Sequence, residues 1–335
     1  MSRGAEAKPA WTAVPRAVKD EVAALLGSPV VRAERAYGGY GPSATFRLRC
    51  ADGGRAFFKA SYPLPKSSGV RWQMAPEARI YAGLGELIRP WAPRFFGSFE
   101  TDGWVGLVLE DLGPGSILPW TAAKTERAAR SYARFHTKTV GRRLPRWLPR
   151  TTHHEFAGCW GALARTGELD AVGGLARRRA AEAREWLDVS LPLFQRAEAR
   201  LRTLRGPNAL LHFDTRSDNV RLQGTLLRIF DWPFASVGPA EFDLAAFAQA
   251  VAAEDGPTPE WTLARYAGVL PYREPAMDAS LAGIAGYFAD RSWRPPIEGL
   301  PRLRSIQRRQ LKASLAWAAR RFELPEPAWL AAVPD

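Results

Sequence analysis

The sequence predicts an α+β protein with two lobes, a small β-rich lobe followed by a large helical one. From residue 30 to about residue 109, short β-branched and aromatic runs alternate with Gly and Pro turns, whereas beyond residue 112 long Ala, Arg and Leu segments dominate. The length of 335 residues also favours two lobes, because a single hydrophobic core stops growing near roughly 250 to 300 residues. We therefore expect the lobes to cover residues 1–112 and 113–335.

The first lobe is predicted to contain three strands, a helix and two further strands. The apolar and β-branched runs at 30–36, 45–50 and 56–61 predict the three strands, and those at 95–100 and 104–110 predict a second hairpin. Between them, residues 76–87 begin with Pro at a plausible first helical position and repeat apolar residues at helical spacing. The long segments of the second lobe are predicted to be helical.

Composition narrows the classes of protein that this chain can be. Apolar residues make up 46% of the sequence and charged residues 24%, which excludes wholesale disorder. Cys50 and Cys159 are too few for a disulfide framework and lack metal-like spacing. We find neither a signal segment nor a run of about 18 apolar residues that could span a membrane. We expect a cytoplasmic monomer or homodimer with no membrane partner.

The net charge of +13 arises from 47 Lys and Arg residues against 34 Asp and Glu residues. Such a balance can indicate a surface that binds nucleic acid. The basic residues, however, are scattered in small clusters among Glu and Ala, as on solvated helix faces. This distribution argues against a nucleic-acid partner.

Polar residues cluster in an apolar setting between residues 209 and 231. His212, Asp214 and Asn219 lie on a loop between two apolar runs, and Asp231 ends the next run. Burying such groups is costly unless something requires them, and loops held by a rigid scaffold often carry chemistry. The alternative is a turn in which Asp and Asn only cap backbone N–H groups.

The first lobe contributes a second set of candidates. Gly38, Gly39 and Gly41 lie between two predicted strands, where backbone N–H groups could approach phosphates, although a plain hairpin turn gives the same pattern. Lys59 lies within an apolar strand and needs a partner if it points inwards. Glu77, on the following helix, can supply that partner, whereas a Lys on an edge strand would need none.

Taken together, these residues resemble a known family. The spacing His-x-Asp-x-x-x-x-Asn in HFDTRSDN, the later FDW, and the segments LVLEDL, SYARFH and GPAEFDLAAF are similar to motifs of the aminoglycoside phosphotransferase and choline kinase family. These are small-molecule kinases with a protein-kinase-like fold. The similarity runs from about residue 30 to residue 322. It implies a nucleotide-binding sheet with one helix in the first lobe, and a catalytic loop with an acceptor site in the second.

The resemblance also implies roles for the residues of the catalytic loop. Asp214 would accept a hydrogen bond from the acceptor hydroxyl and His212 would brace the loop, while Asn219 and Asp231 would bind Mg²⁺ at the phosphates of ATP. Asp243 would support this loop. For His136 we favour a structural role in the core or at a helix end over a chemical one.

The nucleotide would be held by the first lobe. Lys59, paired with Glu77, would contact the α- and β-phosphates, and the backbone around Glu110 and Leu112 would hold the adenine. The remaining nucleotide-binding candidates are the residues of the glycine-rich turn, Gly38, Gly39, Gly41 and Ser43.

The chain departs from the family pattern at three positions. Phe213 replaces the usual Gly, a position where protein kinases carry Arg, so a side chain can be accommodated. Pro233 stands where an acidic residue often follows Asp-Trp. Ala44 stands where a full protein-kinase pattern would have a third Gly, which the small-molecule family commonly lacks. The activation segment of regulated protein kinases does not follow Asp231, which makes a protein kinase the weaker interpretation.

The sequence thus predicts an ATP- and Mg²⁺-dependent phosphotransferase that acts on a hydroxyl of a small molecule, such as a sugar, an amino sugar, an amino alcohol or an antibiotic. The alternative is a catalytically silent, pseudokinase-like nucleotide-binding protein. The acceptor is expected between the catalytic loop and residues 150–205 and 255–322, a region with five Trp residues that could stack on a ligand or form core. The basic balance of the chain predicts a neutral, singly charged or anionic acceptor.

Overall fold

The computed structural model describes residues 8–37, 43–63, 74–153, 157–297 and 300–335. Within them, the N-terminal part contains an antiparallel sheet with the strand order β1-β2-β3-β5-β4. The elements of this part are α1 (Arg16–Leu26), β1 (Val30–Arg35), β2 (Ala44–Cys50), β3 (Arg55–Ser61), α2 (Ala75–Ile88), β4 (Phe95–Thr101) and β5 (Trp104–Glu110). The predicted order of three strands, a helix and two strands is confirmed. Helix α1 was not predicted.

Side chains alternate between the two faces of this sheet, and the two faces have different neighbours. Phe46 on β2, Phe58 on β3 and Val108 on β5 are buried in one apolar cluster together with Val18 and Val22 of α1. Successive residues of a strand point to opposite faces. The residues between them on β2 and β3, among them Lys59, therefore face the remainder of the chain.

The C-terminal part is mainly helical. Its helices are α3 (Ala122–Thr139), α4 (Cys159–Thr166), α5 (Leu169–Gly174), α6 (Ala180–Ala199), α7 (Ala240–Ala253), α8 (Pro259–Ala267), α9 (Glu274–Arg291) and α10 (Leu303–Arg321). Helix α7 is apolar on nearly all sides and packs against α8, α9 and α10. A helix that is hydrophobic all round is expected to be buried, so α7 is the centre around which this part is built.

Two short antiparallel strand pairs carry the polar cluster. Strand β6 (Ala209–Leu211) pairs with β9 (Ser236–Gly238), and β7 (Val220–Gln223) pairs with β8 (Leu226–Ile229). The loop that contains His212 and Asp214 joins β6 to β7, as predicted, and Asp231 follows β8. Because β6 also contacts α7, the loop starts from the buried centre of the helical part.

No helix in the described part of the chain is long and apolar enough to cross a membrane.

Gly106 on β5 offers a test of how tightly the sheet packs. A Cβ atom at Gly106 would lie 2.5 Å from Cζ of Phe99 and 2.8 Å from Cε2 of Phe58, whose rings stack. We expect Gly106→Ala to lower the free energy of unfolding by about 1–3 kcal/mol, as overpacked cores do. Urea denaturation would measure this. Gly85→Ala is the control, since it meets no atom within 4 Å and should stabilise α2 by about 0.5–1 kcal/mol; equal stability of Gly106→Ala and the wild type would contradict the prediction.

Candidate active site

A buried ammonium group joins three distant segments of the chain. The Nζ atom of Lys59 on β3 lies 2.7 Å from Oε2 of Glu77 on α2 and 2.6 Å from Oδ1 of Asp231. Glu77 is fully buried, and its other oxygen accepts the backbone N–H of Trp232 at 3.4 Å. Burial lowers the pKa of Lys59, but the carboxylates of Asp231 and Glu77 outweigh it and raise the pKa well above its usual value. Lys59 therefore remains charged.

Asp243, at the start of α7, fixes the loop after β6. Its Oδ2 accepts the backbone N–H of His212 and its Oδ1 accepts that of Phe213, each at 2.7 Å. His136 on α3 lies 3.2 Å from Oδ2 of Asp243 and 2.7 Å from the hydroxyl of Tyr266. Although burial raises the pKa of Asp243, these hydrogen bonds lower it below the usual value. The geometry is that of a loop support, and His136 occupies the structural position that the sequence favoured.

Phe213 adopts a backbone conformation that explains why Gly is usual at this position. Its φ angle is +75°, in the left-handed region that costs a side-chain-bearing residue roughly 1–2 kcal/mol. Both its N–H bond to Asp243 and the contact of its ring with Phe242, at 4.6 Å between centroids, hold it there. The side chain is accommodated, as expected, but only in a strained backbone.

His212 is fully buried and neutral. Burial lowers the pKa of His212, and its Nε2 lies 3.1 Å from the carbonyl oxygen of Phe230. That carbonyl can only accept, so Nε2 carries the proton and Nδ1 is left to accept the backbone N–H of Asp214 at 3.2 Å. His212 thus connects the two loops through backbone groups, which suits the bracing role.

The carboxylate of Asp214 is held by its own loop. Arg216 donates from Nε to Oδ1 at 2.5 Å and from Nη2 to Oδ2 at 2.8 Å. Asn219 donates from Nδ2 to the backbone carbonyl oxygen of Asp214 at 2.8 Å and to Oδ2 at 3.0 Å. Burial raises the pKa of Asp214, but Arg216, with further help from Asn219, lowers it below its usual value. Asp214 is therefore an ionised acceptor.

Most of the predicted site residues face one cleft of about 680 Å³ between the sheet and the helical part. This volume is ordinary for a small-molecule site. The predicted residues that line it are Ser43, Lys59, Glu77, Glu110, Leu112, Asp214, Asn219 and Asp231. His212 is buried and does not line the cleft. Gly38, Gly39 and Gly41 lie outside the described residues.

Sequence reasoning missed several charged groups in this cleft. Lys8, Arg35 and Arg47 line its sheet side and Arg216 its loop side. Lys8 is buried, and its Nζ lies 2.8 Å from Oγ1 of Thr45. Arg47 could have been found from the sequence. It is two residues from Thr45 on β2 and so lies on the same face of the sheet, and Thr45 pairs with Lys59. Lys8 carries no such signal, because it lies outside any strand or motif.

Asp218 is a further acidic group that the sequence analysis did not single out. It lines the cleft beside Arg216, at 3.6 Å. Burial raises the pKa of Asp218 to about 6. Asp218 therefore loses its negative charge as the pH falls through about 6, a pH at which the neighbouring Asp214 stays ionised.

Among the described residues, only one of the two segments predicted to bind the acceptor lines the cleft. Helices α9 and α10 line the cleft, but no described residue of 150–205 does. None of the five Trp residues lines it either: Trp160 and Trp317 are buried in the core. Trp160 and Trp317 thus form core, one of the two interpretations that the sequence left open.

Comparison with known proteins identifies the architecture. The model of the phosphotransferase enzyme family, APH, matches residues 38–280. An aminoglycoside phosphotransferase from Alicyclobacillus acidocaldarius is 14% identical, with a TM-score of 0.60 over 88% of this chain and 92% of that chain. No curated protein matches the sequence.

Two further solved structures extend the comparison. A spectinomycin phosphotransferase, in complex with ADP and spectinomycin, is 11% identical, with a TM-score of 0.57 over 92% of this chain and 99% of that chain. A choline kinase from Streptococcus pneumoniae is 12% identical, with a TM-score of 0.51 over 95% and 98%. At these identities the likeness shows the fold, and the predicted kinase-like α+β fold and family resemblance are confirmed.

The contact between Arg216 and Asp214 predicts a measurable shift. We expect Arg216→Ala to raise the pKa of the Asp214 carboxyl, because the opposite charge that lowers it is lost. Carbon-13 NMR of the aspartate carboxyl groups, with Asp214→Asn to assign the signal, would measure the change. Arg216→Lys retains the charge and should shift the pKa less; an unchanged pKa in Arg216→Ala would show that Arg216 does not hold the carboxylate.

Proposed function

The chain belongs to the phosphotransferase enzyme family, and we propose that it is a kinase that transfers the γ-phosphoryl group of ATP to a hydroxyl of a small molecule. The observation that carries this proposal is the convergence of Lys59, Asp231, Asn219 and Asp214 on one cleft. An ammonium held by two carboxylates suits contact with phosphates, and an ionised carboxylate on the facing loop suits contact with a hydroxyl.

The nucleotide would occupy the sheet side of the cleft. Lys8, Arg35 and Arg47 line this side together with Lys59, and so do the acids Glu34, Glu77, Glu110 and Asp111. A polyanion such as a triphosphate would therefore be held by individual charge-assisted contacts with the cations. Glu110 and Leu112 line the same cleft, where the backbone of the connecting segment would hold the adenine. The glycine-rich turn at Gly38, Gly39 and Gly41 remains a prediction.

The donor set between the loops fits Mg²⁺. Nδ2 of Asn219 donates to Asp214, so its amide oxygen is left to bind a cation, and Asp231 offers a second hard oxygen ligand. Among the described residues, no group of three or more His, Cys, Asp or Glu side chains is arranged to hold a metal ion. Two protein ligands are usual for Mg²⁺ that is bound together with substrate phosphates. When bound, the ion would neutralise charge on the phosphate oxygens.

Asp214 would orient the acceptor hydroxyl and receive its proton. The hydroxyl oxygen would form a bond to the γ-phosphorus while the bond from that phosphorus to the β,γ-bridging oxygen breaks, which releases ADP and the phosphorylated acceptor. Arg216 and Asn219 donate three hydrogen bonds to the carboxylate of Asp214, so the acceptor hydroxyl would donate to the remaining lone pair of Oδ1 or replace one of these bonds. The ionised state that Arg216 favours is the state that accepts the proton.

The contact between Arg216 and Asp214 favours the alternative function, a nucleotide-binding protein without turnover. Arg216 lowers the pKa of Asp214, and a carboxylate kept in this ion pair is a weaker base toward a hydroxyl. Release of ADP that depends on an acceptor would distinguish the two functions, because a pure binder retains Mg²⁺-dependent nucleotide binding and gives no such release.

Asp214→Asn tests the base. We expect this variant to bind Mg·ATP normally and to lose at least about 100-fold in kcat, the usual lower contribution of a positioned acid or base. Coupled ADP release and calorimetric ATP binding would measure the two effects. Asp20→Asn is the control, since Asp20 pairs with Arg16 on the exposed face of α1; near-normal turnover in Asp214→Asn would remove Asp214 from the mechanism.

Asp231→Ala tests the metal site. We expect it to reduce the gain in ADP affinity that Mg²⁺ provides, because one of the two oxygen ligands is lost while Lys59 keeps its partner Glu77. Calorimetric titrations with ADP in Mg²⁺ and in EDTA would give this gain. An Asp231→Ala protein with the wild-type Mg²⁺ dependence would reject the assignment.

A further inference from the structure

The helical side of the cleft has an apolar wall. Tyr287 and Phe288 of α9 line it, together with Leu303 and Ile306 of α10, and Phe213 and Phe234 of the loops lie on the same cleft. Asp214, the proposed base, lines this cleft too. An acceptor whose hydroxyl reaches Asp214 would therefore place its body against aromatic and aliphatic side chains.

Two buried amide oxygens beside this wall have no hydrogen-bond partner within the described residues. They are Oε1 of Gln249 and Oε1 of Gln310, and each residue is 2% exposed. Nε2 of Gln249 donates to the carbonyl of Ala246 at 3.1 Å, which fixes its Oε1 as the free end. Both residues line a small cavity of about 40 Å³ next to Asp214, and Gln310 lines the main cleft as well.

A buried carbonyl oxygen without a donor is costly, so these two atoms call for a ligand that donates hydrogen bonds. A cavity of this size can hold a water molecule or a hydroxyl group. Gln310 is in the better position to contact the acceptor directly, because it lines both the main cleft and the small cavity. Gln249 can be reached by a second hydroxyl or through water.

Several acidic residues of the region predicted to bind the acceptor are paired with arginines. Asp290 and Glu168 lie beside Arg294, Asp278 beside Arg321 and Glu260 beside Arg320. No carboxylate from the described part of 255–322 lines the cleft, and Glu155 lies outside the described residues. An ammonium group placed against this wall would lose water without gaining an opposite charge from α9 or α10. The carboxylates of Asp214 and Asp218, which also line the cleft, already lie beside Arg216.

A buried cation stands behind the same wall. Arg304 on α10 donates from Nη1 to Oε1 of Gln307, a lining residue, at 2.7 Å. Its charge further disfavours a polycation at this end of the cleft.

From these observations we infer that the acceptor is an uncharged alcohol whose hydroxyl groups are carried by an apolar, aromatic or alkyl body, with Gln310 as a residue that selects for it. The inference rests on the proposed kinase function for the chemistry at Asp214. It excludes acceptors that carry ammonium groups.

Matched acceptor pairs test the class of compound. Glucose is compared with its p-nitrophenyl and octyl β-glucosides, and glycerol with 3-phenoxy-1,2-propanediol, while glucosamine, choline and kanamycin provide the cationic set. We expect the apolar member of a pair to show at least about tenfold higher kcat/KM, since even one buried methylene can give that much. Calorimetry with a non-hydrolysable ATP analogue and Mg²⁺ measures acceptor binding separately from turnover.

Variants of the wall test the residues. Gln310→Leu should raise the acceptor KM about tenfold through the lost hydrogen bond and leave the KM for ATP unchanged. Gln195→Leu on α6 is the matched control, because Gln195 does not line the cleft. Leu303→Glu adds a carboxylate to a half-buried position of the wall, so it should weaken the apolar members and improve the cationic ones even if Gln310→Leu does not fold.

The outcomes separate the two proposals. Preferred binding of the apolar members without any release of ADP supports the acceptor class and overturns the kinase function. Higher kcat/KM for kanamycin or choline than for neutral compounds overturns the acceptor class and leaves the kinase intact. The acceptor class also fails if an apolar body brings no advantage, if no apolar member binds, or if both wall variants keep the wild-type preference.

Discussion

The buried ammonium of Lys59 is the constraint on which the rest of the site depends. A charge out of water is costly unless it is paired and hydrogen-bonded. Lys59 meets this requirement with two carboxylates, one 18 and the other 172 residues away in the sequence. The sheet, helix α2 and the segment after β8 must therefore come together for any of the three charges to be satisfied. The cleft lies where they meet, so its shape follows from the pairing rather than from packing alone.

The carboxylates of Asp243 and Asp214 show how fixed and adjustable contacts are divided around the loop after β6. Both oxygens of Asp243 are bound to backbone N–H groups, which can move only if the loop itself unfolds. The oxygens of Asp214 are bound mainly by the side chain of Arg216, which can rotate without disturbing the backbone. Backbone hydrogen bonds to Asp243 thus hold the loop, whereas exchangeable side-chain hydrogen bonds hold the carboxylate of Asp214, which would contact a ligand in the proposed function. Phe213 tolerates a left-handed backbone within the rigid part because the N–H bond to Asp243 requires it.

The sequence predicted the strands and helices that short residue patterns encode. Strands β1 to β5 and helix α2 have alternating or helical spacing between clear turn residues, so their order and most of their bounds follow from short windows. Helix α1 was missed although Val18 and Val22 are correctly spaced, because a short amphipathic segment near a terminus is ambiguous without the sheet it covers. Arg216 and Gln310 could not be assigned, since the first is an ordinary surface residue until the loop folds back, and the second needs α7, α9 and the loop beside it. A Trp likewise looks the same in sequence whether it lines the core or a cleft.

The total charge of +13 says less about the ligand than its distribution in the cleft. The cations on the sheet side, Lys8, Arg35 and Arg47, share it with the acids Glu34, Glu110 and Asp111, so a triphosphate there would be held by individual contacts with these cations. On the helical side, Arg320 and Arg321 of α10 pair with acids of α8 and α9, and the residues of α9 and α10 that line the cleft are Tyr, Phe, Leu, Ile and Gln. Since screened surface charges act weakly beyond about 10 Å, the lining decides recognition at close range. A single chain can therefore be strongly basic, attract a polyanion at one end of its cleft and still prefer an uncharged partner at the other.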